Sequence, residues 1–582
     1  MKMTSGAYIA KFLKNEGVEV VFGIIDGTYQ GLVVGLKKEG IRLITPRHET
    51  TAAHMAAAYS RLTGKLGVCI ASNGPGVANI LPGITVENAE GNRVLLITSS
   101  RRVGIGYPDR GGTYQYFDQV GVMKNISKYA VTTPHVNRVP ELMRKALRKS
   151  FSGRPGVVHF DLPEDLMNNK FEFPELQQPE TYRLKYRLSA PKAMVEEAAE
   201  LLINAKNPAI HAGSGIIHSM AFKELQEVAE LLKIPVVTSW GARGVIPEDS
   251  ECAVPMIHID VNNKVRKEAD VILVIGSRLG ETDWWGKAPY WNLPEKQKIV
   301  QVDVDEDIIG NIRPADIAIL SDAKTFLQDL LKVVKPSTKK IAIAKRNKTI
   351  EGIQKLVVKD RAKLDKKLSD KGTPMLTAHV PAITNKVFDK DALVVFDGGN
   401  SAVWGNFYHK VYTPNTMLAT YKFGMLGAGV GQAIGAAAAF PDRQVYCIIG
   451  DGAMGFHPQE VETAIRNDLK PIFLVICDKQ WGMVKMTQQF ALKPVKTLIK
   501  KELSAEETIN TDLGEIQFDK LAESMGAHGE RVAAPEELEP AIERCLQANK
   551  CAVIHVDVDH VKHMWAPGLL KFKAMHQEPK GK

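Results

Sequence analysis

Short apolar runs alternate with amphipathic stretches along most of the chain. In the first third of the chain, strands are predicted at 18–22, 42–46, 67–72 and 93–99. Helical patterns lie between them, such as TTAAHMAAAYSRLT at residues 50–63. The same alternation returns with strands at 209–211, 235–238, 271–275 and 298–304, and again from residue 393 onward. Buried strands separated by helices are typical of parallel sheets, so the pattern predicts an α/β protein with three doubly wound parallel-sheet domains.

The 582 residues are too many for one hydrophobic core, and the length alone suggests roughly three or four domains. We predict an N-terminal domain over residues 1–172, a central domain over 191–332, a Lys-rich helical linker over 333–373, a third domain over 374–560 and a C-terminal tail over 561–582.

Composition narrows the class of protein. Hydrophobic residues at 45% and charged residues at 24% are ordinary for a soluble globular enzyme, and no run approaches the roughly 20 apolar residues of a membrane span. The six cysteines are scattered and form no CxxC pair, which favours buried thiols in a reducing cytoplasm. Much of the net charge of +9 falls in residues 332–371, where helical spacing predicts a solvated linker helix and no nucleic-acid module. We therefore expect neither a nucleic-acid nor a membrane partner.

Two carboxylates follow two successive predicted strands of the third domain. Asp451 lies in a Gly-Asp-Gly turn, and Asp478 ends the next apolar run. In an open α/β sheet this edge binds ligands, glycines let the backbone approach them closely, and amides at a helix start suit a phosphate. A carboxylate beside a phosphate suggests a bridging Mg²⁺. The stretch therefore predicts a metal-diphosphate anchor.

Other candidates give weaker signals. Glu49 lies at a strand-to-helix junction in PRHETTAAH, where an isolated glutamate is usually a helix cap, and His48 lacks the spacing of a zinc site. The glycine run near residue 430 misses the dinucleotide-binding spacing and predicts a tightly packed helix. Residues 557–563 contain Asp and His, but their alternation indicates a strand end.

These motifs resemble the thiamine diphosphate-dependent enzymes of the acetohydroxyacid (acetolactate) synthase-like family, which includes 2-hydroxyacyl-CoA lyases and oxalyl-CoA decarboxylases. The resemblance covers nearly the whole chain, in the order pyrimidine-binding, central and diphosphate-binding domain. The family's second metal ligand comes 27 positions after the aspartate of GDG, and 451 plus 27 is 478. The resemblance implies Mg²⁺ bound by Asp451, Asp478 and the backbone carbonyl of Gln480. The family usually has asparagine at the position of Asp478, so this site gains a negative charge that should tighten Mg²⁺ binding.

The resemblance also assigns a role to Glu49. PRHETTAAHMAAAYSRLTGKLGV is similar to the family segment that carries the activating glutamate. A protonated Glu49 against N1′ of the aminopyrimidine would favour the imino tautomer, which removes the C2 proton to give the ylid. Leu426 would bend the cofactor, and Gly424 would contact the aminopyrimidine. Further cofactor contacts implied by the resemblance are Asn79, Gly399, Asn400, Ser401, Gly452, Ala453, Gln480, Trp481, Gly482 and Met483.

Two residues bear on the substrate. Gln115 aligns with an active-site glutamine of the synthases, and Asp26 stands where the family usually has a Pro-Gly step. An acidic Asp26 would disfavour an anionic carboxylate or supply a proton.

The first hypothesis is an acetolactate synthase-like carboligase or decarboxylase acting on 2-oxoacids, with a proton, an aldehyde, a second 2-oxoacid or an acyl-CoA as acceptor. The alternatives are a 2-hydroxyacyl-CoA lyase or oxalyl-CoA decarboxylase-like enzyme and, more distantly, a non-catalytic thiamine diphosphate-binding protein.

The resemblance finally bears on the central domain and on assembly. The segment SRLGETDWWGKAPYW lacks the Arg- and Asp-rich pattern of the synthases that hold FAD, so we do not expect FAD. The lyase and decarboxylase branch places ADP in this region, which makes ADP or CoA the alternative, with Asp303, Asp305 and Asp322 as candidate ligands. In this family the pyrimidine and diphosphate domains face each other across a subunit interface, which implies a homodimer or homotetramer. We expect the tail to fold over the mouth of the active site as a lid.

Overall fold

The computed structural model describes residues 1–106, 109–184 and 186–579; the last three residues of the predicted tail lie outside the described residues. Three parallel sheets flanked by helices dominate the structure, which confirms the predicted α/β class. Most of their strands are buried along their whole length, as expected of parallel strands covered by helices on both faces.

The N-terminal sheet has six parallel strands in the order β3-β2-β4-β5-β7-β6, and β1 pairs with β8 in a short antiparallel ribbon. The strands are β1 (Lys2–Thr4), β2 (Val20–Gly23), β3 (Arg42–Ile44), β4 (Gly67–Ala71), β5 (Val94–Ser100), β6 (Tyr129–Val131), β7 (Val157–Pro163) and β8 (Lys170–Glu172). The helices are α1 (Ser5–Asn15), α2 (Gln30–Lys38), α3 (Glu49–Thr63), α4 (Pro75–Glu90), α5 (Val103–Gly106), α6 (Gln119–Ile126), α7 (Val139–Phe151) and α8 (Glu164–Asn168).

The central sheet has five parallel strands in the order β10-β9-β11-β12-β13. The strands are β9 (Pro208–Ala212), β10 (Val236–Thr238), β11 (Val271–Ile275), β12 (Lys298–Asp303) and β13 (Ile317–Leu320). The helices are α9 (Lys192–Asn204), α10 (Gly215–Ser219), α11 (Phe222–Leu232), α12 (Ile259–Glu268) and α13 (Ala323–Val334).

The third sheet has six parallel strands in the order β15-β14-β16-β17-β19-β18. Its strands are β14 (Leu393–Asp397), β15 (Met417–Leu418), β16 (Val445–Gly450), β17 (Ile472–Cys477), β18 (His528–Val532) and β19 (Ala552–Asp557). Helix α14 (Ile343–Asp365) precedes it, and the remaining helices are α15 (His379–Val387), α16 (Gly399–Tyr408), α17 (Ala428–Ala439), α18 (Asp451–Met454), α19 (Glu460–Arg466), α20 (Gly482–Leu492), α21 (Pro494–Lys500), α22 (Phe518–Ser524), α23 (Pro535–Gln547), α24 (His560–Met564) and α25 (Leu569–Met575).

Helices α3 and α17 join the N-terminal and third domains. Both are rich in small residues, and a Cβ atom added at Gly435 would lie 2.3 Å from the carbonyl oxygen of Met55. A Cβ added at Gly431 would lie 2.8 Å from the Cβ of His54. The two backbones can approach this closely only because these positions carry no side chain. One cluster of buried side chains consequently runs through both sheets, from Phe22 to Ile434 and Cys447.

Helix α14 runs through the Lys-rich segment and packs against the central domain. Arg346 is buried and donates hydrogen bonds to the carbonyls of Leu202, Ile203, Ala205 and Leu232. The helix is therefore exposed to solvent on one side only. The Arg346 guanidinium on its other side caps backbone carbonyls near the C-terminal ends of α9 and α11. Among the described residues, no helix combines the length and apolar character needed to cross a bilayer.

Replacing Gly435 by alanine should separate α3 from α17. Alanine favours a helix by about 1 kcal/mol over glycine, but forcing a methyl group against the Met55 carbonyl should cost more, roughly 1–3 kcal/mol of unfolding free energy. Thermal unfolding monitored by circular dichroism should show a lowered midpoint. The matched control is Gly352→Ala on exposed α14, where nothing lies within 4 Å of the added Cβ; that variant should be neutral or slightly stabilised. Equal behaviour of the two variants would contradict the packing argument.

Candidate functional site

Asp451 and Asp478 lie at the same edge of the third sheet. They directly follow β16 and β17, which are neighbouring parallel strands with Gly450 beside Ile476. The Asp451 carboxylate accepts hydrogen bonds from the backbone N–H groups of Gly452 at 2.7 Å and Lys479 at 2.8 Å. Its orientation is therefore fixed by the backbone of both turns.

Asp478 is the more deeply enclosed of the two carboxylates. Its Oδ2 accepts a hydrogen bond from Gln480 Nε2 at 3.1 Å, and His563 Nε2 lies 3.8 Å away. Burial, together with the negative charge of Asp451, raises the pKa of Asp478 well above its ordinary value, and burial also raises the pKa of Asp451. Two such carboxylates repel each other when ionised, so a divalent cation between them would stabilise the charged forms.

Asn400 has unused hydrogen-bonding groups beside this pair. Both polar atoms of its side chain are buried and have no hydrogen-bond partner within the structure. A Cβ added at Gly482 would lie 2.8 Å from Asn400 Nδ2 and 3.0 Å from Asp478 Oδ2, so only glycine fits there. A buried amide without a partner costs free energy, and it fits a site in which a bound polar ligand completes the bonding.

Three helices start around this point. Gly399, Asn400 and Ser401 open α16, Asp451 to Ala453 open α18, and Gly482 and Met483 open α20. A Cβ added at Gly452 would lie 2.6 Å from the ring of Trp481, and one added at Gly399 would lie 3.2 Å from Met483 Cβ. Backbone N–H groups at helix starts suit a phosphate. The donors and carboxylates together fit a metal-bound diphosphate.

Gln480 is buried beside Asp478. Its side-chain amide donates to Asp478 and, at 2.9 Å, to the carbonyl of His560 at the start of α24. The backbone on either side is fixed by pairing with residues 511–513, since Trp481 N–H donates to the Thr511 carbonyl and Leu513 N–H donates to the Lys479 carbonyl. The start of α24, which leads into the tail, is thereby tied to the turn that follows Asp478.

Glu49 begins α3 on the N-terminal domain. It is buried, with 8% of its surface exposed, and Asn79 Nδ2 donates a hydrogen bond of 3.0 Å to its Oε2. Thr50 bonds the Asn79 carbonyl with its hydroxyl, which holds α4 against the start of α3. The structure thus places Asn79 next to Glu49.

Asp26 and Gln115 are connected by hydrogen bonds at the carboxyl edge of the N-terminal sheet. The Asp26 carboxylate accepts from the Thr28 N–H at 2.8 Å and from its hydroxyl at 2.6 Å. Thr28 Oγ1 lies 2.5 Å from Ser99 Oγ, which accepts from the Asn73 N–H. Asn73 Nδ2 in turn donates to the Gln115 carbonyl at 3.2 Å. The two candidate substrate residues therefore share one edge.

Among the described residues, the cavity beside Asp451 is not lined by Glu49, Asp26 or Gln115. A cavity of about 510 Å³ beside Asp451 is lined only by third-domain residues, among them Phe456, Lys479 and Trp481. Gly424, with φ +67°, is exposed, and Leu426 packs against the shared core before α17. The backbone N–H groups of Lys422 and Phe423 donate to Glu90 of the N-terminal domain, which fixes this segment.

A larger cavity of about 940 Å³ lies between the central domain and its neighbours. Its lining includes Arg154, Arg278 and Lys422, and also two of the predicted ligands, Asp303 and Asp322. Asp322 instead pairs with Arg187 and caps α13, while Asp305 is absent from the lining. Partial desolvation inside this cavity, together with the charges of Arg278 and Arg154, lowers the pKa of Lys422. Sequence reasoning missed these cations; the available signal was the position of Arg278 after a strand in IGSRLG, whereas Arg154 in SGRPG precedes its strand.

The residues of 557–563 have structural partners. Asp557 pairs with Arg531, Asp559 caps α24 through the Lys562 N–H, and His563 Nδ1 bonds Thr377 Oγ1. Asp557 also approaches Glu515 and His555, but Arg531 bridges the two carboxylates. Arg531, together with Lys479, which pairs with Glu515, balances the two negative charges.

Comparisons with known proteins agree with this geometry. Models of the thiamine pyrophosphate enzymes match in three parts: the N-terminal TPP binding domain at residues 3–122, the central domain at 195–330 and the C-terminal TPP binding domain at 397–556. The chain is 30% identical over 580 residues to a probable acetolactate synthase large subunit of Methanocaldococcus jannaschii, covering 96% of this chain and 92% of the relative. It is 29% identical to a glyoxylate carboligase of Escherichia coli O157:H7, covering 91% and 88%, and 28% identical to a 2-hydroxyacyl-CoA lyase of Arabidopsis thaliana, covering 95% and 95%.

Because Asn400 makes no side-chain hydrogen bond within the protein, Asn400→Ala should leave the stability of the ligand-free protein unchanged to within about 1 kcal/mol. The control is Asn406→Ala in the same helix. Asn406 accepts hydrogen bonds from Arg243 and, at 2.8 Å, from the Tyr421 hydroxyl, and its loss should cost about 1–3 kcal/mol. Urea denaturation without added ligand measures both. A large loss for Asn400→Ala would show that its amide has an internal partner.

Proposed function

The chain belongs to the thiamine pyrophosphate enzymes, and we propose on that premise that it makes or breaks carbon–carbon bonds of 2-oxoacids, as an acetolactate synthase-like carboligase or decarboxylase that depends on Mg²⁺. The proposal rests on the presence of two groups of side chains. The first is the buried Glu49, which accepts a hydrogen bond from Asn79, and the second is Asp451 with Asp478 beside Asn400, whose buried amide has no partner among the described residues. A protein that merely bound the cofactor would not need the first group.

The residues have separate tasks. When bound, thiamine pyrophosphate supplies the nucleophilic carbon and the electron sink for the reaction. Glu49 would hold a proton against N1′ of the aminopyrimidine, and Gly424 and Leu426 would support the same ring. Asp451, Asp478 and the Gln480 carbonyl would hold Mg²⁺ against the diphosphate, with Asn400 and the amides of Ala453 and Met483 on its oxygens.

A homodimer, or a tetramer built from such dimers, would complete the site. The cavity beside Asp451 is lined by one domain only, while Glu49, Asp26 and Gln115 lie on another. Apolar side chains are exposed near this edge, with Phe456 and Phe423 each at 49% and Val484 at 52%. A second copy whose N-terminal domain covered the cavity would bury this surface and bring Glu49 to the cofactor.

The central cavity favours a second candidate, a 2-hydroxyacyl-CoA lyase or an enzyme similar to oxalyl-CoA decarboxylase. Its cationic lining suits the phosphates of ADP or CoA better than an uncharged ligand. Asp26, held by Thr28 near Gln115, would disfavour a second carboxylate in the acceptor. ADP or CoA should raise the thermal midpoint if this candidate is right, whereas release of CO₂ from a panel of 2-oxoacids without any such effect would favour the first.

Glu49→Gln tests the catalytic assignment. The amide keeps the size of the side chain but holds no acidic proton, so cofactor affinity should stay within about threefold while exchange of the cofactor's C2 proton slows by a factor of roughly 10² or more. Acid quench of the complex in D₂O followed by proton NMR measures the exchange. Glu141→Gln, an exposed residue paired with Arg138, serves as the control and should exchange like the wild type. Unchanged exchange in Glu49→Gln would refute the role.

Asp478→Asn tests the metal site. Asparagine retains an oxygen ligand and removes one negative charge, so the variant should still bind the cofactor with Mg²⁺, at an Mg²⁺ affinity reduced by up to roughly tenfold. Asp451→Asn should be far more damaging, because Asp451 also ties the two turns together through Gly452 and Lys479. Titration of Mg²⁺ against tryptophan fluorescence quenching by the cofactor gives both values. The opposite order of damage would count against the assigned ligands.

A further inference from the structure

Glu460 is a buried carboxylate whose partners lie largely in another domain. It opens α19 of the third domain and has no exposed surface. Both of its oxygens lie 3.1 Å from the Arg47 backbone nitrogen, and Oε1 also accepts from the Thr51 hydroxyl at 3.0 Å. Within its own helix, Oε2 accepts from the Thr463 hydroxyl at 2.7 Å. Burial raises the pKa of Glu460, and these hydrogen bonds counteract that rise.

The segment that Glu460 holds is the one that carries Glu49. Arg47 and Thr51 lie two residues before and two residues after it, at the start of α3. The Arg47 N–H lies just before His48, the N-cap of α3, and the Thr51 hydroxyl lies in the first turn, so the Glu460 carboxylate joins the strand-to-helix junction to the start of the helix. The Glu49 side chain is thereby left free to face elsewhere, where Asn79 donates to it.

Other contacts of α19 reach the same strand-to-helix junction. Arg466 donates to the Thr45 hydroxyl at 2.6 Å and to its carbonyl at 2.7 Å, and Glu462 pairs with the Arg47 guanidinium at 2.8 Å. The rings of His48 and His457 lie 5.3 Å apart. The contacts made by Glu462 and Arg466 are partly exposed to solvent. The contact made by Glu460 is buried, so water cannot replace it.

We propose that Glu460 is a positioning residue for Glu49, which fixes the first turn of α3 so that the Glu49 carboxylate meets the cofactor's aminopyrimidine in the reactive orientation. This rests on the proposed role of Glu49. The carboxylate of Glu460 is taken up by the Arg47 N–H and by the Thr51 and Thr463 hydroxyls. An error of about 1 Å in the placement of a catalytic group can slow a reaction roughly 10²-fold, so loss of the link should affect proton exchange far more than cofactor binding.

The test compares Glu460→Ala, Glu460→Gln, Glu462→Ala and Glu49→Gln in the full-length protein. Cofactor and Mg²⁺ affinity is measured by fluorescence quenching, and C2 proton exchange of the bound cofactor by acid quench and NMR. We expect Glu460→Ala to bind the cofactor within about threefold of the wild type but to exchange at least about tenfold more slowly. Glu460→Gln, which keeps one acceptor oxygen, should lie between, and Glu462→Ala should match the wild type.

Wild-type exchange in both Glu460 variants would overturn the proposal. If neither variant folds, Thr51→Val removes the hydroxyl that bonds Glu460 and the His48 carbonyl while leaving the Arg47 contact in place; its exchange should slow by about threefold or more, and no slowing would overturn the proposal as well. Glu49→Gln distinguishes a failure of the proposed function from a failure of the positioning role. If its exchange is unchanged, the proposed function fails; if it slows while the Glu460 variants do not, only the positioning role fails.

Discussion

The close contact between α3 and α17 is the constraint on which the rest of the structure depends. It requires glycine at 431 and 435, because a Cβ at either position would overlap His54 or the Met55 backbone. Through this contact the N-terminal and third domains share one apolar core, while one face of the central sheet packs in a separate core. The positions of Glu49 and of the third-domain turns are therefore set by the same packing.

The polar groups use that rigid frame in two ways. At the metal end, neighbouring parallel strands deliver Asp451 and Asp478 side by side, and backbone N–H groups hold Asp451 in place. At the other end, Glu460 and Arg466 of α19 secure the junction that leads into Glu49. Helix α19 begins nine residues after Asp451, so one short stretch of chain contacts both ends. The site depends on cross-domain hydrogen bonds as much as on the residues that would touch a ligand.

Local patterns predicted much of this. The three parallel sheets follow from alternating apolar runs and helices, and Asp451 and Asp478 could be placed because the carboxyl ends of neighbouring parallel strands share one edge. Asn79 was assigned by resemblance, and the structure sets it beside Glu49. Partners that are distant in sequence could not be found in this way. Nothing local shows that Glu460 reaches Arg47, that Glu90 holds Lys422, or that Arg346 in a Lys-rich helix is buried. Such pairings depend on tertiary packing, and a single sequence contains no period or spacing that reports them.

The shared core also has a consequence for how the protein is made. Helix α3 is buried along nearly its whole length, yet its partner α17 begins only at Ala428 of 582 residues. While a ribosome is still synthesising the central domain, the small apolar face of α3 has nothing to cover it. The N-terminal domain can cover one face of its sheet with its own residues, but the core on the other face is completed only by α17 of the third domain. The first domain to emerge therefore finishes its packing only after most of the chain has been made, and until then its uncovered apolar face needs protection from aggregation.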